Sequence, residues 1–371
     1  MSKKTRFVFG KEGDTGLQPA IDNSSINTNS WNEFQVMLNK SVNGGSTFSR
    51  GIVSTYSLAY TTSTAYMGGV LSPNGDIHFI PFGAAVGQKI SSLGVPSTYA
   101  LVYTTAGGAF VGGVLASNGD IHFVPVSGKG QKISSSGVVS TYTLINTTAN
   151  GYRGGVLAPN GDIHFCPYSA NTGQKISAAG VVSTYSLIVT AAYAYYGAVL
   201  APNGDIHFIP NHVAVGQKVS AAGVVSTYSL VYTNTTGGYQ GGAVALNGDI
   251  HFIPASATVG QKININGVVS TYSLVNTGNN YSGGVLAPNG DIHFIPYYLT
   301  TVGQKINKDG IVSTYSLIYT ATSEYHHGGV LNANGEIIMI PMSSTVGQKI
   351  STLPAIPLPL SVCISSFLNK L

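Results

Sequence analysis

Charge is what this sequence has least of. Asp, Glu, Lys and Arg together make up 8% of its 371 residues, against about 25% in ordinary globular domains. The net charge is +4 and no run of Lys or Arg forms a basic stripe, which argues against a nucleic-acid partner. Two cysteines, Cys166 and Cys363, make no disulfide framework. The longest apolar stretches fall short of the roughly 18 residues that span a bilayer, so no membrane span is expected. The opening "MSKKTRFVFGKEGD" has basic residues but no apolar stretch after them, so no secretory signal is expected either. P-loop, GxSxG, HExxH and CxxC patterns are all missing, and neither a cofactor nor a metal is expected. Hydrophobic residues still reach 43%, so low charge here does not mean disorder, which also needs low hydrophobicity. The picture is a large core under a neutral, turn-rich surface, made in a reducing cytoplasm.

What the chain does have is repetition. "GVVSTYSL" and its variants begin at Gly51, Gly94, Gly137, Gly180, Gly223, Gly267 and Gly310, and "GQK" recurs at Gly87, Gly130, Gly173, Gly216, Gly260, Gly303 and Gly347. Seven units of about 43 residues therefore cover 51–351. Each unit reads as four short strands. "GGVLAP" and "DIHFIP" flank Asn-Gly, a strong hairpin signal because both turn residues tolerate positive φ. "GQKIS" is the third strand, and the β-branched, aromatic "VVSTYSLVYT" is the outermost. No segment of the repeat has a 3.6-residue period. Four strands per unit of this length predict an all-β fold, a seven-bladed β-propeller of four-stranded blades. The phase of the repeats predicts that the N-terminal strand at 52–60 completes the last blade, whose other strands fall at 328–350, removing two exposed sheet edges.

The architecture resembles that of WD-repeat propellers, although the Trp-Asp signature is missing and the only tryptophan, Trp31, lies outside the repeats. The phrase "GGVLAPNGDIHFIP … GQKI … STYSL" resembles repeats of tailed-bacteriophage and environmental viral proteins. That resemblance spans all seven units and implies a virion setting without assigning any site.

One phrase carries an Asp-x-His pair in six units: Asp76/His78, Asp120/His122, Asp162/His164, Asp205/His207, Asp249/His251 and Asp291/His293. In the seventh unit the pair becomes Glu336 and Ile338. Residues i and i+2 of a strand face the same way, so these types in this pattern fit metal ligands, catalytic dyads or a structural polar clamp. Catalysis needs one asymmetric convergence of groups, and six equal copies favour a clamp linking Asp, His and the Ser/Thr of "STYS". The seven "GQK" lysines are expected to pair with the aspartates, or else to form a charged ring for an anion.

The copies differ in the segments before the inner strand and before "GQK". In four antiparallel strands these loops share one face of the ring, and loops on a rigid scaffold commonly carry binding. That face is aromatic in sequence. Tyr66, Phe110, Tyr152, Tyr195, Tyr239 and Tyr281 recur two residues before the inner strand's glycines, with Tyr325 displaced by one beside His326 and His327. Tyr196, Tyr297, Tyr298 and His212 do not recur. Together the tyrosines, Phe110, His326 and His327 make the expected binding face, with packing of the inner rim as the other reading of the recurring rings.

Residues 1–50 and the proline-broken apolar tail 352–371 do not repeat and are expected to connect or anchor the propeller. The expectation is a non-enzymatic virion structural protein of a tailed phage, a head-decoration, fibre or tail component assembled in host cytoplasm. Its partners would be other virion proteins through both ends, and a host-surface glycan or protein through the variable face. The alternatives are a free multivalent carbohydrate-binding lectin and, more remotely, a channel hydrolase using Glu324, His326 and His327.

Overall fold

In the outer strand "VSTYS" the last four residues alternate between half-buried and exposed, whereas in the second strand "IHFIP" every residue is buried. Loss of alternation marks a strand covered on both faces, and the arrangement of the chain accounts for it. A computed structural model describes residues 52–352 apart from 106, 127, 279, 299 and 321–324. Residues 1–50 and the tail from 353 onward, with the anchoring roles expected of them, lie outside the described residues. All regular structure described is strand: 28 strands in seven four-stranded antiparallel sheets. Blades 1 to 6 span 66–100, 110–143, 152–186, 195–229, 239–273 and 281–316. Blade 7 takes its three inner strands from 326–351 and its outermost from Ile52–Tyr56. Ile52 pairs with Ser351 and Tyr56 with Gly347, so the expected overlap of the two ends is present.

The core lies between neighbouring blades. Ile338 and Ile340 of blade 7, for example, pack with Tyr66, Phe79 and Ile90 of blade 1. Each buried Phe of this kind stabilises by about 2–3 kcal/mol. At the axis the blades meet backbone to backbone. The first glycine of each inner strand sits in a register shift, as between Tyr66 and Gly69, and takes a positive φ, +80° at Gly112. A Cβ added to Gly112 would stand 3.0 Å from the Cα of Gly154, and one on Gly241 would stand 2.9 Å from that of Gly283. The circuit returns from Gly328 to Gly68 at 3.5 Å. Farther out, one backbone bond passes from each blade to the next: Ala109 N–H donates to Phe82, Gly151 to Val126, Ala194 to Tyr168, and so on until Ala65 donates to Met342.

Three side-chain devices repeat around this ring. The tyrosine of "STYS" lies across the glycine of "GQK" in the same blade; a Cβ on Gly173 would meet the Tyr185 ring at 2.2 Å. The glutamine of "GQK" is fully buried and staples one blade to the next. Gln217 Oε1, for instance, accepts from the N–H groups of Ile188 and Val189 in the preceding link, at 2.9 and 2.8 Å. The third device is the polar clamp, and here the structure corrects its membership. The aspartates pair with the lysines at 2.5–2.7 Å, and Glu336 pairs with Lys349 in blade 7. The histidines turn to the outer-strand tyrosine, not to Ser or Thr. His164 Nδ1 lies 3.2 Å from the Tyr185 hydroxyl, and rings touch in this way in all six blades. The reason is reach: that tyrosine pairs with "GQK" glycine and folds back over the third strand onto the second. Where Ile338 replaces histidine, the Tyr56 hydroxyl donates to the Met339 carbonyl instead.

Burial, reinforced by the lysine charge and opposed by the aspartate, pushes His78, His122, His164, His207, His251 and His293 down to about 4. Burial raises the carboxyls of Asp76, Asp120, Asp162 and Asp205, but the lysines and backbone N–H groups outweigh it and hold them below their usual range. An unfolded histidine binds its proton near pH 6.5, so the unfolded chain holds more protons between about pH 4 and 6.5. Stability is therefore full above that window and falls as pH drops through it; protonation of the aspartates adds a further loss below about pH 4. His164→Ile, which copies blade 7, is expected to remove one proton from that dependence, about 1.4 kcal/mol per pH unit in mid-window. Urea unfolding at several pH values measures this, and an unchanged slope would contradict it. At the axis, Gly112→Ala is expected to cost at least about 2 kcal/mol, combining a close backbone contact with a positive φ. A thermal midpoint equal to wild type would show that the glycine contacts are dispensable.

Candidate binding site at the channel mouth

The recurring aromatics do not form a surface. Tyr66, Phe110, Tyr152, Tyr195, Tyr239 and Tyr281 are all buried to within 1% of full coverage. Each ring except Phe110 sends its hydroxyl to a backbone carbonyl of its own blade, Tyr66 to Val86 and Tyr152 to Thr172. Each also packs against the second-strand Phe, as Tyr66 does on Phe79 with centroids 5.6 Å apart. A tyrosine whose polar tip is satisfied inside belongs to the core, so these six leave the expected binding face. Tyr325 leaves it too, being fully buried. It occupies the position held by Ala65 in blade 1, and His326 takes the place of Tyr66, pairing with Pro341 as Tyr66 pairs with Pro81. His326 is fully buried, and burial pushes it down to about 3. Among the described residues neither of its ring nitrogens finds a partner.

The non-recurring residues behave differently. The residue just before each axial glycine changes from blade to blade: Met67, Val111, Arg153, Tyr196, Gln240, Ser282 and His327. On one side of the mouth Met67, Val111, Val126 and Met342 form an apolar floor with Tyr196, and Phe82, Tyr168 and Tyr297 pack against it half-buried. On the other side a polar chain crosses the axis. The Arg153 guanidinium lies over the Tyr168 ring at 4.2 Å and near that of Tyr196 at 5.1 Å. Arg153 Nη1 donates to the Tyr196 hydroxyl at 3.2 Å, and that hydroxyl lies 2.7 Å from His327 Nε2. Blades 3, 4 and 7 are thereby joined through side chains. Burial first, then the Arg153 charge, pushes His327 down to about 3. The Tyr196 hydroxyl accepts from Arg153 and shares a second hydrogen bond with His327 Nε2, whose donor is set by the imidazole tautomer. Tyr297 stands edge-on to His327 at 5.7 Å and touches Tyr298.

Beside this chain the strand entry of blade 4 is strained. Tyr193 has φ +61° at the position where blades 1 and 3 place Thr64 and Asn150, each at φ +53°, and blades 2 and 5 place Gly108 and Gly237. A left-handed bulky residue costs on the order of 1–2 kcal/mol. Its ring, 47% exposed, contacts Tyr168 at 5.1 Å and His212 at 5.6 Å. Of the residues expected on the binding face, then, the structure brings together Tyr196, Tyr297, Tyr298 and His327. It adds Arg153, Tyr168 and Tyr193, which motif reading passed over. Arg153 had a visible signal: it is the only arginine between residues 52 and 352. Among the described residues no group of three His, Cys, Asp or Glu side chains is arranged to hold a metal ion.

No family model matches this chain, and no curated protein matches it. Solved structures do share its shape. A streptogramin B lyase superposes with a TM-score of 0.72 at 19% identity, over 82% of this chain and 99% of the other. Virginiamycin B lyase from Staphylococcus aureus gives 0.72 at 17% identity, over 82% and 100%. The WD40 β-propeller domain of Doa1 gives 0.62 at 15% identity, over 82% and 97%. At such identities the likeness is one of fold: this chain folds as a seven-bladed β-propeller, a scaffold suited to binding and interaction.

Proposed function

We propose that this chain is a binding propeller, without catalytic activity of its own, that engages its ligand at the channel mouth on the variable-loop face. The observation that carries this is the asymmetric cluster of Arg153, Tyr168, Tyr196 and His327, in a ring whose other side-chain devices repeat blade by blade. Closing a propeller does not need a cation between two tyrosines in one blade out of seven. Exposed or half-exposed rings at Tyr168, Tyr193, Tyr297 and Tyr298 supply flat apolar area with polar tips, which suits a saccharide or a protein loop. A free lectin with one equivalent site per blade fits less well, because the residues at the mouth differ in every blade.

The setting we propose is the virion of a tailed phage, as a head-decoration, fibre or tail component. The wording of the repeats supports this, through its likeness to repeats of tailed-phage proteins. The segments 1–50 and 352–371 would contact other virion proteins while the mouth faces a host-surface glycan or protein. The second reading is enzymatic, and its support is the fold shared with the lyases, one of which was solved as a catalytically inactive variant with quinupristin. Both histidines at this mouth are buried and neutral, which fits a packed floor better than an open acid–base pair.

Gold-labelled antibody on purified particles tests the setting: regular label on heads or tails is expected, and clean particles with the protein left soluble would overturn it. Binding to host cells or to a glycan array tests the site. Tyr168→Ala is expected to weaken it by about tenfold or more, in the range of an aromatic contact residue. Turnover of quinupristin by the purified protein would overturn the binding reading in favour of the enzyme.

A further inference from the structure

One charged group at the mouth stands apart from the ion pairs of the propeller. Among the described residues every aspartate and glutamate is engaged by a lysine: six Asp–Lys pairs in blades 1 to 6, Glu336 with Lys349, and Asp309 with Lys308. Two described cations, Lys129 and Arg153, are then left without a carboxylate. Lys129 is exposed and solvated, as most lysines are. Arg153 is partly buried, and among the described residues its guanidinium is held by two ring faces and one hydroxyl, with no carboxylate beside it. Its Nε–H has no acceptor among the described residues.

We infer that the channel mouth receives a carboxylate-bearing saccharide, with Arg153 binding the carboxylate and the tyrosines around it stacking on the sugar ring. This inference rests on the binding reading above and names its ligand class. The chemistry favours a carboxylate because guanidinium offers a planar fork of donors matched to it. A carboxylate on that fork also supplies the anion that Arg153 lacks. The fork is fixed beforehand: Tyr168 lies under the guanidinium, and the Tyr196 hydroxyl that accepts from Nη1 is itself anchored on His327. Fixed donors lose little freedom on binding. The saccharide follows from the surroundings, where half-exposed rings and the strained, exposed Tyr193 offer stacking platforms. An acidic peptide would call for several cations, and the mouth holds one.

The test is calorimetric titration of the full chain with sialyllactose and with galacturonate and alginate oligosaccharides, each beside its carboxyl-reduced form. At least one acidic form is expected to bind about tenfold or more tighter than its reduced counterpart, with affinity falling as salt rises. Arg153→Gln is expected to remove that preference. Arg153→Lys, which keeps the charge and loses the fork, is expected to retain only part of it. Because a substitution here also risks the fold, the salt dependence and the acid–reduced comparison on the wild-type chain stand by themselves. Equal binding of both forms, with loss of both in Tyr168→Ala, would overturn the carboxylate and leave the binding site. No binding of any probe would overturn the inference. If host-cell binding were also indifferent to Tyr168→Ala, the site itself would fall with it.

Discussion

Seven glycines that touch backbone to backbone at the axis set the terms for everything else in this fold. A side chain at any of them would hold neighbouring blades apart, because the next Cα is already within van der Waals range of where a Cβ would sit. The inner strands can approach so closely only if each takes a bulge and a positive φ at the same point. That geometry turns the residue before each glycine toward the mouth. It also brings the second strands of adjacent blades into the packed layers where all of "IHFIP" is buried. The Gln staples, the circuit of backbone bonds and the shared last blade then have one common task, which is to keep seven wedges at that spacing.

Symmetry separates the structural devices of this chain from the site proposed for binding. The devices that recur, Tyr on Gly, Gln to the next link, Lys to Asp, His beside Tyr, consume nearly all the polar chemistry of the repeat inside the protein. The ring of lysines is not a free cationic ring, since each one is bound to a carboxylate. What is left over is concentrated at the mouth, where each blade contributes a different residue. Arg153 between Tyr168 and Tyr196 is where the side chains break the repeat, whereas the positive φ of Tyr193 is shared by Thr64, Gly108, Asn150 and Gly237 at the equivalent position. That break in symmetry is what supports the binding site proposed at the mouth.

Much of this was legible in the sequence, for physical reasons. Asn-Gly turns, β-branched and aromatic runs and the offset phase of the repeats specify four strands per blade and the shared seventh blade. The Asp–Lys pairing was within reach because opposite charges recur in step. The histidine's partner was not, since "STYS" offers three hydroxyl types and only the register decides which folds back over the third strand. Tyr66 and its equivalents misled because a tyrosine with a satisfied hydroxyl in a core and one on a binding face read alike. Their burial depends on Phe79 and on the Val86 carbonyl, contacts that no local pattern encodes. Gln88 and its equivalents recur as faithfully as the lysines, but a side chain that caps two N–H groups of the neighbouring blade leaves no spacing rule. Arg153 announced itself only by rarity.

Ring closure is the claim on which the rest stands, and native-state hydrogen exchange reads it strand by strand. If the N-terminal strand closes blade 7, the amides of Ile52–Tyr56 and Gly347–Ser351 that pair with each other are protected to the same degree as the outer and third strands of blade 3. Free exchange of Ile52–Tyr56 beside a protected blade 3 would mean an open ring, and the spacing at the axis would then have to be held in some other way.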